Sequence, residues 1–183
     1  MKRKFLLLAL PFCILCLIGK NVSAQAVSSE DLKAQLVKDW QRAKDYTTEY
    51  LNAMPADKYS FKAVDSLRSF AQQMLHLASG NVFLMQNATD QKPPFMRGDL
   101  EKSPGAQTKD SVMYFVNASY DYCINAVKAT DVAKWGEKKT LMKNEATRLS
   151  LMMKTFEHQT HHRGQTTIYI RLVGIRPPQE KLF

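Results

Sequence analysis

The sequence predicts an all-α protein, a single bundle of four helices, on three observations. Four stretches repeat apolar residues at three- and four-residue steps, the spacing that lines up one face of a helix. No strand-length alternating segment, internal repeat or Gly-rich phosphate loop competes with them. With 45% apolar residues and only 7 Gly and 7 Pro among 183, the chain can build a core, which excludes collagen-like, low-complexity and largely disordered classes. Helices carrying apolar stripes bury them against one another, and four of them favour an antiparallel bundle.

Ahead of the first helix stand Lys2, Arg3 and Lys4, then an apolar run from Phe5 to Gly19, then Val22-Ser23-Ala24 before Gln25. This is the pattern of a secretory signal peptide over residues 1–24, followed by one domain over 25–183. The run of 15 residues is broken by Pro11 and falls short of the roughly 18 to 20 that span a bilayer. An exported, periplasmic protein with no stable membrane span after signal removal is therefore expected. Cys13 and Cys16 leave with the signal, so Cys123 is the one thiol of the mature chain and no internal disulfide forms. The domain is held by its core, by a metal, or by both, and Cys123 among apolar helix positions reads as core. The formal charge of +9 loses Lys2, Arg3, Lys4 and Lys20 with the signal. What remains is spread among Asp and Glu without a basic run, so nucleic acid is not an expected partner.

The first helix opens at Ser28 or Ser29 as N-cap, places Leu32, Leu36, Trp40, Ala43, Tyr46 or Thr47, and Tyr50 on one face, and stops at Pro55. Residues 56–64 connect, and Asp65 or Ser66 is available to cap the second helix, which repeats Leu67, Phe70, Met74, Leu77 and Leu84. Gln73 and His76 are polar interruptions of that stretch. Residues 87–107 contain Pro93, Pro94, Gly98, Pro104 and Gly105, a density of breakers that predicts a long loop, of a length often used for function. Thr108 or Asp110 opens the third helix, with Val112, Phe115, Val116, Ser119, Cys123, Ala126 and Val127 inward. After a connector over 131–139, the last helix starts between Leu141 and Ala146. It runs through Leu149, Met152, Met153, Phe156, the histidines, Ile168, Tyr169 and Leu172 to Gly174, with Pro177-Pro178 beyond.

Three of the four histidines, His158, His161 and His162, fall in five residues of that last helix. His158 and His162 are four apart, so both rise from one face and can close on a single cation at roughly 2.0–2.1 Å. His161 points partly off that face. His76 can lie opposite the pair across the bundle, completing three imidazoles and leaving a coordination position for water or substrate. Gln165 and Tyr169, three and seven residues past His162, project from the same side as second-layer or substrate-facing groups. The competing reading of the same residues is a polar patch near a helix end, with His76 a hydrogen-bonded core residue. Neutral imidazole is the ligating form and its reference pKa is about 6.5, so a metal held this way is released by acid.

The run Glu157-His158-Gln159-Thr160-His161-His162-Arg163-Gly164-Gln165, followed by Tyr169 to Gly174 and Pro177-Pro178, resembles the DinB/YfiT-like family. The likeness extends to Trp40, the Pro55 connector with Tyr59 to Lys62, and Met74 to Ala78, and covers residues 28–178. It implies an up-down-down-up four-helix bundle with a long loop between the second and third helices. It also implies a divalent cation, zinc or nickel, on His76, His158 and His162, with His161 off the metal in a supporting or surface role. Under the resemblance Gly164 lets a neighbouring helix approach, Arg163 pairs across the bundle or an interface, and two copies form a homodimer.

The resemblance implies a metal-dependent hydrolase or a thiol S-transferase acting on an unidentified small molecule. The characterised family members include thiol S-transferases using low-molecular-weight thiols, most members having no assigned substrate; those transferases are largely cytosolic, and an exported chain departs from them. The alternative, of a different class, is a non-catalytic periplasmic bundle that binds metal or a partner.

Overall fold

The computed structural model describes residues 26–95, 98 and 100–183; the expected signal peptide lies outside them. Helix α1 spans Ser29–Ala53. The Ser28 side chain accepts from the Asp31 amide and Pro55 follows the end, as the sequence indicates. Its buried residues Leu36, Trp40, Ala43, Tyr46, Thr47 and Tyr50 are the expected stripe.

Helix α2, Phe70–Thr89, starts later than expected. Its cap is neither Asp65 nor Ser66 but Ser69, which forms a reciprocal capping box with Gln72. The amides of Phe70 and Ala71 are taken by the carbonyls of Phe61 and Tyr59, so the connector itself satisfies the first turn. Leu67 is consequently outside the helix and 47% exposed. At its other end α2 continues through residues 87–89, and Asp90 closes it at a φ of 60°. The long connection to α3, Lys109–Ala129, holds two short 3₁₀ turns at Leu100–Lys102 and Pro104–Ala106. Thr108 caps α3, and Cys123 is wholly buried, its Sγ 3.7 Å from the Asn81 carbonyl. Burial drives that thiol's pKa well up, in keeping with a packing role.

Residues expected to begin the last helix form a β-hairpin instead. Strands β1, Lys138–Leu141, and β2, Asn144–Thr147, pair antiparallel in the register Lys138 with Thr147. The two-residue turn is Met142-Lys143, both at positive φ (50° and 68°). Such turns ordinarily carry Asn-Gly or Asp-Gly, so no turn signal was there to be read. Helix α4 therefore runs Arg148–Leu172, capped by Thr147. Its core-facing side is largely polar, with Thr155, Gln159, His162, Arg163 and Thr166 buried, while Met153, Ile168 and Leu172 from the expected apolar pattern are exposed. The inward groups find partners within the bundle. Tyr120 donates to Gln159 Oε1 at 2.7 Å, Arg163 donates to the same oxygen at 3.1 Å, and the Arg163 guanidinium lies 4.6 Å from the Tyr46 ring centroid.

Cross-helix contacts give the direction of each helix. Lys44 meets Asp121 and Lys109 meets the Asn52 carbonyl, so α1 and α3 are antiparallel. Tyr50 bonds Thr167 and Trp40 packs on Phe156, so α1 and α4 run together. Arg148 reaches the Ala88 carbonyl and Tyr169 the Arg68 carbonyl, making α2 and α4 antiparallel. Asn81 contacts Ser119 and Tyr122 contacts the Gln91 carbonyl, so α2 and α3 are parallel. The result is up-down-down-up, and the parallel α2–α3 step is what requires a long return connection. No helix among the described residues is long and apolar enough to cross a membrane.

Candidate metal centre

The antiparallel packing of α2 against α4 sets Gln73, His76 and Gly80, at steps of three and four, opposite His158, His162 and Gln165. Ring centroids of His76, His158 and His162 are 4.4 to 5.5 Å apart. Each ring offers a nitrogen within 4.8 Å of the others. The three residues expected to ligate a metal are thus brought together from two helices.

Close approach is possible because residue 80 is glycine. A Cβ there would stand 2.0 Å from His158 Cε1 and under 3 Å from both ring nitrogens. The expectation for Gly164 is corrected: a Cβ at that position meets nothing within 4 Å, since it lies on the outer side of α4. Arg163, by contrast, is buried within its own bundle by Gln159 and Tyr46.

Two of the imidazoles are held by a second partner. Glu101, from the α2–α3 connection, accepts from His76 Nδ1 at 2.6 Å, and its other oxygen takes Arg68 Nε at 2.6 Å. Partial burial pushes the Glu101 carboxyl up, but the Arg68 and His76 hydrogen bonds outweigh it and hold the group below the usual range, as a carboxylate. The Gln73 amide lies 2.8 Å from His162 Nδ1. With Nδ1 engaged on both rings, Nε2 is the nitrogen left for a cation. In that tautomer Nδ1 carries the proton, and since the Gln73 amide nitrogen faces the ring here, accepting that proton requires the amide to turn over and present its oxygen. The donor set therefore fits a borderline cation such as zinc or nickel: three imidazoles, two of them oriented, in a cradle that a side chain at residue 80 would fill.

The residues expected to support the metal do so unequally. Gln165 lies between Gln73 and His161, in hydrogen-bond contact with both, 3.0 Å from His161 Nε2. His161 is exposed and outside the three-imidazole group, its ring 5.0 Å from that of His162. Tyr169 is buried and donates to the Arg68 carbonyl at 2.8 Å, fixing the segment that carries the Arg68 side chain to Glu101. Glu101, Gly80 and Arg68 had no sequence signal of their own, and Gln73 showed only as a polar residue in an apolar stretch.

Burial first, then the neighbouring His158, His76 and His161 and the Arg68 charge, press the His162 pKa down to about 3. Its ring is neutral throughout the physiological range, the state a metal ligand needs. In an unfolded chain it titrates near 6.5. Between those values the unfolded chain takes up a proton that the folded chain refuses, so acid favours unfolding across this window and has no such effect above it. Metal-free protein is therefore expected to lose urea resistance as pH falls from 6.5 toward 3. A His162→Gln variant should lose less over the same range; an equal loss in both would show that His162 is not the group responsible.

His76 and His158 face a cavity of about 760 Å³, with Phe83, Leu84 and Met142 on its apolar wall. A second cavity of about 680 Å³ shares Arg68 and Glu101 and is lined by Gln73, Gln165 and Tyr169. Both are of a size that takes a small molecule.

A family model described as DinB family matches residues 25–182. Among solved structures, a DinB-like protein from Bacillus cereus superimposes with a TM-score of 0.71 at 15% identity, over 81% of this chain and 97% of that one. A DinB-like protein from Bacillus subtilis gives 0.61 at 15% identity, over 81% and 96%. These likenesses are of fold. No curated protein sequence matches.

Proposed function

The chain belongs to the DinB family, and from that premise we propose that it is an exported metalloenzyme holding one divalent cation, zinc or nickel, on His76, His158 and His162. Its reaction class is hydrolysis or thiol S-transfer on a small molecule. The observation that supports this most is the convergence of three imidazole nitrogens within 4.8 Å, two of the rings facing a cavity. A cation bound there would lower the pKa of a coordinated water or thiol and so supply a nucleophile near neutral pH.

The chain's own residues supply the rest. Glu101 and Gln73 orient the His76 and His162 rings, and Arg68 keeps Glu101 ionised. Tyr169 anchors the Arg68 backbone. Outside the cytosol the reduced thiol pool is small, which favours water over a thiol as the nucleophile of an exported member. Pairing of two copies is part of the same proposal; exposed Met153, Ile168 and Leu172 on α4 are what support it.

The test is elemental analysis of protein beginning at Gln25, purified without chelator or histidine tag, beside a His158→Ala/His162→Ala variant. About one equivalent of metal in wild type, absent from the variant, is expected. No metal in the wild type, or equal metal in both, would overturn the assignment and leave a helical scaffold whose partner must be sought.

A further inference from the structure

The residues of α2 that line the cavity beside His76 and His158 change from polar to apolar along the helix: Gln72 and His76 come first, Phe83 and Leu84 last. Phe83 and Leu84 stand one turn past Gly80, against which the His158 ring packs, so the apolar end begins about 5 Å along the helix from that ring. The β-hairpin adds to this end. Its strand β1 packs on α2, and Lys139 pairs at 2.8 Å with Asp90, the residue that closes the C-terminal end of α2. From there the hairpin turn brings Met142 to the wall of the same cavity.

Neither burial nor backbone preference accounts for methionine at position 142. Leu141 and Ala146, on the flanking strands, pack against the core, whereas Met142 is 66% exposed. Its φ of 50° is one that asparagine or glycine adopts readily and methionine does not. Lys143 shares the left-handed conformation but is not on the cavity wall. Residues held in disfavoured conformations cluster where ligands bind. A flexible, polarizable apolar side chain at a cavity rim is suited to contact with the apolar body of a ligand.

We propose that this cavity takes an amphipathic small molecule, its polar reacting group at the imidazoles and its apolar body against Phe83, Leu84 and Met142, with Met142 the specificity-determining contact for that body. The polar end rests on the metalloenzyme reading, whose substrate class it names. The apolar end needs only the cavity, so the two fail separately.

Titration with phenylnaphthylamine, a neutral apolar fluorophore, tests the apolar end on metal-free protein beginning at Gln25. Displacement of the fluorophore by octanohydroxamate or acetohydroxamate tests both ends on zinc-loaded protein. Met142→Asn is expected to weaken the fluorophore at least fivefold while raising the melting temperature, because asparagine suits the left-handed position. Lys143→Gly relieves the same turn away from the cavity, and should raise the melting temperature with fluorophore affinity unchanged. Octanohydroxamate should displace the fluorophore from wild type at least tenfold more effectively than acetohydroxamate, and that ratio should fall at least threefold in Met142→Asn. No fluorophore binding by wild type, unchanged affinity in Met142→Asn, an equal loss in both turn variants, or equal displacement by the two hydroxamates overturns the proposal. A Met142→Asn protein less stable than wild type does so as well, since methionine would then serve the fold. Met142-dependent fluorophore binding by a protein that takes up no zinc would sink the metal reading and leave the apolar site standing; zinc uptake with fluorophore binding indifferent to Met142 does the reverse.

Discussion

Gly80→Ala is expected to abolish the proposed metal binding while leaving the bundle folded. The added methyl would sit 2.0 Å from His158 Cε1, 2.6 Å from Nδ1 and 2.7 Å from Nε2, distances no packed atom tolerates. The helix backbones are held along their whole length by other contacts, whereas an imidazole can be displaced by rotation about its two side-chain bonds. The ring will therefore move, and with it one of the three proposed ligands. Alanine also favours the helix over glycine by about 0.8–1.0 kcal/mol, so global stability is expected to be unchanged or higher. Metal affinity should drop at least a hundredfold. Competition with a chromophoric chelator measures the affinity, and far-ultraviolet circular dichroism with a urea titration measures the fold. A Gly80→Ala protein that keeps wild-type affinity would show that His158 does not coordinate from this position.

The opposite pattern, a large loss of stability, is expected from Trp40→Ala. Trp40 is fully buried, edge-on to Tyr120 at 5.7 Å and to Phe156 at 5.2 Å, and so ties α1 to α3 and α4 at once. Truncating a residue of this size in a packed core costs about 3–5 kcal/mol, from lost transfer energy and the cavity left behind. Trp40→Phe should cost clearly less, since it keeps most of the ring area and removes the indole N–H, which is buried without a partner among the described residues. Urea unfolding of the two variants beside wild type provides the comparison. A loss below about 1 kcal/mol for Trp40→Ala would mean that the helices repack freely around the gap.

The part of the fold legible in the sequence is the part set by contacts along one helix. The α1 stripe, its Ser28 cap and its stop before Pro55 follow from steps of three and four and from proline's missing amide hydrogen. Element boundaries depart from the local pattern where distant backbone supplies what a neighbouring residue was expected to supply. Ser69 opens α2 because Phe61 and Tyr59 accept its first amides, and Leu67, though in period, is left outside. The hairpin over 138–147 carries no local signal because Met142 and Lys143 occupy left-handed positions that usually hold glycine or asparagine. Met153, Ile168 and Leu172 fit an apolar pattern, but α4 buries a polar face whose hydrogen-bond partners lie on α1, α2 and α3.

At the candidate site the division is the same. That His158 and His162 rise side by side was determined by the sequence alone, because four residues is close to one helical turn. That His76 meets them was decided by the antiparallel packing of α2 on α4, and so were the space at Gly80 and the Gln73 contact. The hold of Glu101 on His76 was decided by the path of a long connection back across the bundle. Neighbours along a helix are set by its pitch, which any stretch of sequence carries within itself. Neighbours across a bundle are set by how separate segments pack, and no single segment contains that.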